Sequence, residues 1–191
     1  KEEIEGVILH PLNSLILKSK LRYILGVIRV RRILKKIKPD VLNAHYITGY
    51  GFLGSLAGFK PFIASPWGSD VLVSPKRSIL MRWVVKFVMR RADMITTESE
   101  MVKDVLIKEL GANPDKIETF SWGIDCNLFK LGYDTEVKNL RKRIGISEDT
   151  PVVLSNRNMT PLYNISTIID TIQKVLNRNP KVFFIFLRGY G

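Results

Sequence analysis

The chain of 191 residues carries one cysteine, Cys126, and two histidines, His10 and His45. A single thiol excludes an intramolecular disulfide, and nothing in the composition points to an oxidising compartment. The three residues are widely separated, so no metal-ligand spacing is present. Long apolar runs are missing too. The longest uncharged stretch, Val41 to Phe59, includes Asn43, His45, Thr48 and four glycines, too polar for a convincing membrane span. Acidic residues are scarce in two places. Gly6 to Pro39 holds nine Lys or Arg and no Asp or Glu, and Val71 to Ala92 holds six more under the same condition. Those two segments account for most of the net charge of +12.

What is present is globular. An apolar share of 46% and this length allow a sizeable core. Short apolar runs at Val41–Ala44, Pro61–Ser65, Met94–Thr97 and Lys116–Phe120 read as strands, with Val7–Leu9 as the end of an earlier one. Helical periodicity separates them at Leu17–Ile37, Phe52–Gly58, Ser78–Arg91 and Glu100–Leu110, so βαβ units and a parallel sheet are expected. The pattern lapses over Asn127 to Asp134, and a charged helical segment runs on through Arg143. A new strand–helix–strand run follows at Val152–Ser155, Ile165–Leu176 and Val182–Leu187. This reads as α/β: a Rossmann-like domain over 1–133 and, over 134–191, a linker helix and one βαβ unit of a second. Lys1 and Gly191 both fall inside such patterns, as in a segment of a longer protein.

Two loops invite a functional reading. Ile63 to Asp70 and Gly123 to Phe129 each break from an apolar run into a glycine-bearing polar turn, where the carboxyl end of a parallel strand binds ligands. Either loop alone is first an ordinary strand-to-helix turn, because Gly, Ser and Asp are plain turn formers. Together they suggest a rim. In the second acid-free segment Leu80, Trp83, Val84, Phe87 and Val88 fall at helical spacing, with Arg82, Lys86 and Arg90 on another face. The apolar stripe reads as packing on a sheet, and the basic excess suits either solvent or an anionic membrane surface.

Lys38-Pro39-Asp40-Val41 leading into His45, then Trp67-Gly68-Ser69-Asp70, Ala92-Asp93-Met94-Ile95-Thr96, Gly123-Ile124-Asp125 with Phe129, Arg157 before Pro161, and Gly189-x-Gly191 form an ordered series. That series resembles the family 4 glycosyltransferases, retaining enzymes of the GT-B fold with two Rossmann-like domains facing a cleft. The resemblance implies that the first domain, here lacking its opening strand and turn, holds the acceptor. The second would hold the nucleotide-sugar donor, with the acidic Glu-x7-Glu donor motif beyond Gly191, so this segment alone is expected to be inactive. It implies catalytic-site positions at His45, Trp67 and Asp70. Donor contacts would fall at Arg157, Tyr163, Gly189 and Gly191, with no cofactor or metal besides the nucleotide sugar. The sequence departs from the family at two of them: Trp67 stands where a histidine is usual, and Tyr163 near where a lysine is usual.

The residues allow this chemistry on their own terms. Glycosyl transfer from a nucleotide sugar builds negative charge on the departing diphosphate, which the planar fork of Arg157 suits. Glycines at 189 and 191 would let backbone N–H groups approach phosphate, although a tight turn explains them as well. Trp67 can stack on a sugar and donate through its indole N–H. His45 reads equally as a hydroxyl ligand or a structural residue, Asp70 as a polar site residue or a helix N-cap, and His10 as structural. The leading expectation is therefore a glycosyltransferase at the cytoplasmic face of a membrane, with a lipid-linked or glycan acceptor. Another nucleotide-sugar enzyme such as an epimerase is the alternative. A basic nucleic-acid-binding module is the third, but the basic clusters match no known nucleic-acid motif.

Overall fold

The computed structural model describes residues 5–12 and 21–187. They form two compact units, 1–123 and 124–191. In the first, four short strands, β1 (Leu42–His45), β2 (Phe62–Ser65), β3 (Met94–Thr97) and β4 (Ile117–Thr119), pair in parallel in chain order. Parallel sheets need cover on their faces, and the register lines up buried residues for it. Ala44 lies opposite Ala64, Ala64 opposite Ile95, and Ile95 opposite Ile117, all four buried.

The connections between strands are helices. Helix α1 (Leu21–Ile37) precedes β1, and a π-helical turn (Ile47–Gly51) leads from β1 into α2 (Phe52–Ala57). Helix α2 sits close to the sheet because Gly54 has no side chain. A β-carbon there would come 3.1 Å from Phe62 Cε2 and 3.2 Å from the Ala44 β-carbon. Between β2 and β3 run α3 (Ser69–Leu72), α4 (Ser74–Arg77) and α5 (Ile79–Arg91), the last capped by Ser78, whose hydroxyl accepts from Met81 N. Helix α6 (Glu100–Asp104) continues as a π-helical turn (Val105–Glu109) before β4, where a single regular helix through Leu110 was expected.

Two expectations are corrected. Val7–Leu9 is not a strand: it joins no sheet, and its apolar side chains are exposed. In α5 the core face is Val84, Val85, Val88 and Met89, rotated from the stripe read in the sequence. Leu80 and Trp83 of that stripe point outward, 62% and 54% exposed. The periodicity was right and the phase was wrong, because apolar residues occupy more than one face of this helix. The helix expected over Leu17–Ile37 is seen from Leu21, the rest lying outside the described residues.

In the second unit Asp125 organises the opening turn, its Oδ1 accepting from Asn127 N at 2.8 Å. Tyr133 Oη donates to the Leu128 carbonyl at 2.9 Å, fastening this turn to the start of α7 (Asp134–Arg143). Strands β5 (Val152–Ser155) and β6 (Phe183–Phe186) pair in parallel, joined by α8 (Ile165–Arg178). Ile165, Ile168, Ile172, Val175 and Leu176 make the inward stripe of α8 at helical spacing.

Candidate functional site

The carboxyl ends of β1 and β2 place the first group of candidate residues. His45 is the last residue of β1, and Tyr46 N extends the ladder by donating to the Ser65 carbonyl at 2.9 Å. Beyond Ser65 the chain turns through Pro66-Trp67-Gly68. Gly68 has φ +95°, a conformation that side chains strain against, so glycine belongs there. The turn projects Trp67 over the end of β1. Its indole Nε1 donates to His45 Nδ1 at 3.1 Å, and the two rings meet edge to face at 5.9 Å. His45 and Trp67 are both exposed, Trp67 by 53%.

Asp70, by contrast, is fully buried. It occupies the second position of α3 and makes no helix cap. Its Oδ1 accepts from Trp67 N at 2.9 Å and its Oδ2 from Ile47 N at 2.6 Å, so one carboxylate clasps the loops after β1 and β2. Burial pushes the carboxyl above its ordinary range, and the backbone N–H groups of Ile47 and Trp67 pull in the opposite direction. Asp70 thus holds the geometry of the rim from inside.

Below the rim a polar row crosses the sheet. Ser65 Oγ donates to Asn43 Oδ1 at 2.9 Å and lies 2.6 Å from Thr96 Oγ1, linking β1, β2 and β3. Asn43 Nδ2 is 3.4 Å from His45 Nε2. A further aromatic residue escaped the sequence reading. Trp122, beyond β4, meets Trp67 edge to face at 5.2 Å and is itself 53% exposed. A signal for it existed: Trp67-Gly68 and Trp122-Gly123 are the same dipeptide following two strands of one sheet.

In the second unit Arg157 follows β5, and its guanidinium carbon lies 5.2 Å from the centre of the Tyr163 ring. Two of the four candidate donor residues are therefore together, held by a cation–π contact. Asn164 adopts φ +50° immediately before α8, and its Oδ1 accepts from Thr167 Oγ1. Gly189 and Gly191 lie outside the described residues. Among the described residues no group of three or more His, Cys, Asp or Glu is placed to hold a metal ion.

A parallel sheet with helical connections, its polar and aromatic candidates at the carboxyl ends of the strands, places the chain in the Rossmann-like α/β class. Residues 1–99 match the family described as glycosyl transferase 4-like, and the chain belongs to that family. It is 26% identical over 112 residues to D-inositol 3-phosphate glycosyltransferase of Corynebacterium glutamicum, covering 59% of this chain and 26% of that protein. In fold it is similar to Anabaena Alr3699/HepE, solved with UDP and glucose, with a TM-score of 0.71 and 21% identity over 91% of this chain and 45% of that one. It is also similar to the UDP-GlcNAc 2-epimerase of Neisseria meningitidis bound to UDP-GlcNAc, with a TM-score of 0.56 and 18% identity over 92% of this chain and 51% of that one. The chain spans about half the length of these solved structures or less.

Proposed function

We propose that this chain is part of a retaining glycosyltransferase that moves a sugar from a nucleotide-sugar donor to a lipid-linked or glycan acceptor. Membership of the glycosyl transferase 4-like family carries this reading most directly. The rim of His45 and Trp67, with Asp70 fixing it from below, is the acceptor-side half of the site. Arg157 and Tyr163 are the donor-side contacts, the guanidinium taking the diphosphate as a charge-assisted, two-pronged ligand. The Anabaena protein with UDP and glucose supports a UDP-sugar as the first donor to test.

The test uses the whole reading frame. Label from a UDP-sugar should appear in a lipid or glycan product with its anomeric configuration kept. Arg157→Ala should lower kcat/KM about 10- to 100-fold, the loss of one charge-assisted contact of about 1.5–3 kcal/mol. Conversion of UDP-GlcNAc to its 2-epimer without an acceptor would instead establish the epimerase alternative.

The same protein is proposed to work at the cytoplasmic face of a membrane, held peripherally. Among the described residues no helix is long and apolar enough to cross one. The outer face of α5 supports surface attachment: Ile79 is 89% exposed and lies beside Leu80 and Trp83, interleaved with Arg82, Lys86 and Arg90. Apolar residues set among cations suit an anionic interface, where each Lys or Arg contributes roughly 1 kcal/mol. Binding to vesicles should rise with phosphatidylglycerol content and fall with salt. Equal binding to neutral vesicles would refute it.

A further inference from the structure

Histidine carries its single neutral-state proton on one of two nitrogens, and the partner of each nitrogen decides which. At His45 that partner leaves no choice. The indole N–H of Trp67 is a donor and never an acceptor, and it points at His45 Nδ1 from 3.1 Å. Nδ1 must therefore be the bare nitrogen, and a proton there would collide with the indole hydrogen. From this we infer that Trp67 fixes the neutral His45 ring as the tautomer protonated on Nε2, making His45 a hydrogen-bond donor to a ligand oxygen rather than a proton-abstracting base. Trp67 is then a positioning residue: it acts on the ligand through His45.

The neighbours fit this assignment. Asn43 Nδ2 lies 3.4 Å from Nε2, and with a proton on that nitrogen a half-turn of the amide brings its oxygen round to accept from the ring. The same half-turn puts the NH2 where Oδ1 now accepts from Ser65 Oγ at 2.9 Å, and a hydroxyl serves in either sense. Ser65 Oγ, accepting from that NH2, is then free to donate to Thr96 Oγ1, 2.6 Å away. Donors and acceptors then alternate from the indole through the imidazole to β3 with no two donors facing. The Asn43 contact is long and on the exposed side, so a hydroxyl oxygen of a sugar can replace it on Nε2 at little cost. This last step rests on the glycosyltransferase reading, whereas the protonation state does not.

The chain's two histidines make the test direct. In a 15N-labelled sample without ligand, long-range proton–nitrogen spectra near pH 7.5 should show one imidazole wholly in the Nε2-protonated form, assigned to His45 by its survival in His10→Gln. Trp67→Phe keeps an aromatic ring but removes the donor, and should convert that signal to a mixture of the two neutral forms. Its amide spectrum reports whether the fold is kept, and should it unfold, the wild-type pattern alone decides. A wild-type His45 protonated on Nδ1, or a mixture of forms, would overturn the inference. So would a pattern unchanged in folded Trp67→Phe. In the full-length enzyme His45→Ala should lower kcat/KM at least tenfold, and His45→Gln, which restores an N–H but no base, should recover most of the loss. If Gln is as poor as Ala, His45 is no donor to the ligand. An enzyme with no transferase activity but the predicted spectrum would sink only the functional reading.

Discussion

The two units are built from the same parallel strand–helix–strand element, yet they exclude water to very different degrees. The four-stranded sheet buries Phe62, Ala64, Val85, Val88, Ile95 and Leu106 almost completely, whereas among the described residues of the second unit only Ile165 is buried to a comparable degree. Strand sequence does not explain this, since Val152–Ser155 and Phe183–Phe186 are as apolar as any strand in the first unit. The described residues do: they give the second unit two strands against the first unit's four, so less of the sheet and its helix is covered and Leu154 is exposed among them. Apolar sequence supplies the material of a core, and packed helices covering the sheet make it one.

Substitutions in equivalent strands give the sharpest way to break that contrast. Phe62→Ala should cost about 3–5 kcal/mol, the usual penalty for emptying a fully buried aromatic site. Phe184→Ala, at a half-buried site, should cost about 1–2 kcal/mol. Urea titration followed by amide exchange in β2 and β6 separates the two; equal losses would show that the units are equally well packed.

Next in size is Asp70→Ala. It leaves the N–H groups of Ile47 and Trp67 without their carboxylate, each at a cost of about 1–3 kcal/mol. Asp70 also gives the first unit a particular pH response. Burial holds its folded-state pKa above the ordinary value of 3.8. The proton-linked part of its contribution to stability is thus complete below that value and is lost as pH rises through the folded-state pKa. Melting curves across the acid range should show this slope in the wild type and lose it in Asp70→Asn.

The smallest effect belongs to Asp93 on the surface of the first unit. Its carboxyl is held below 3.8, first by the hydrogen bond from Lys60 and then by that from Phe62 N. Here the sign reverses: stability is present above 3.8 and lost as pH falls through the lowered value. The pair is half exposed, so Lys60→Met should cost less than about 1 kcal/mol. A larger loss would mean that the start of β2 depends on this ion pair.

Much of this was legible in the residues. Strands β3 and β5 fall where alternating composition put them, and β1, β2, β4 and β6 differ by a residue or two at their ends. The family resemblance was legible too, as was the turn from Ile63 to Asp70 at the carboxyl end of a strand, because an apolar run that breaks into Gly, Ser and Asp marks where a strand stops. What was hidden depends on contacts distant in sequence. The phase of α5 is set by which face meets the sheet, and its surplus of apolar residues left that open. Trp122 joins Trp67 only because β2 and β4 end on the same side of one sheet. The inward orientation of Asp70 depends on the N–H of Ile47, 23 positions away.

The Asp70 clasp also bears on the thermodynamics of recognition. A loop that must be ordered by its ligand surrenders conformational entropy at the moment of binding, and affinity falls accordingly. Here the segments after β1 and β2 share one carboxylate, so neither can open without releasing the other. Their freedom is surrendered once, during folding. On the proposed reading, the rim of His45 and Trp67 would then meet a ligand already ordered, and discrimination would rest on fit instead of on adjustment.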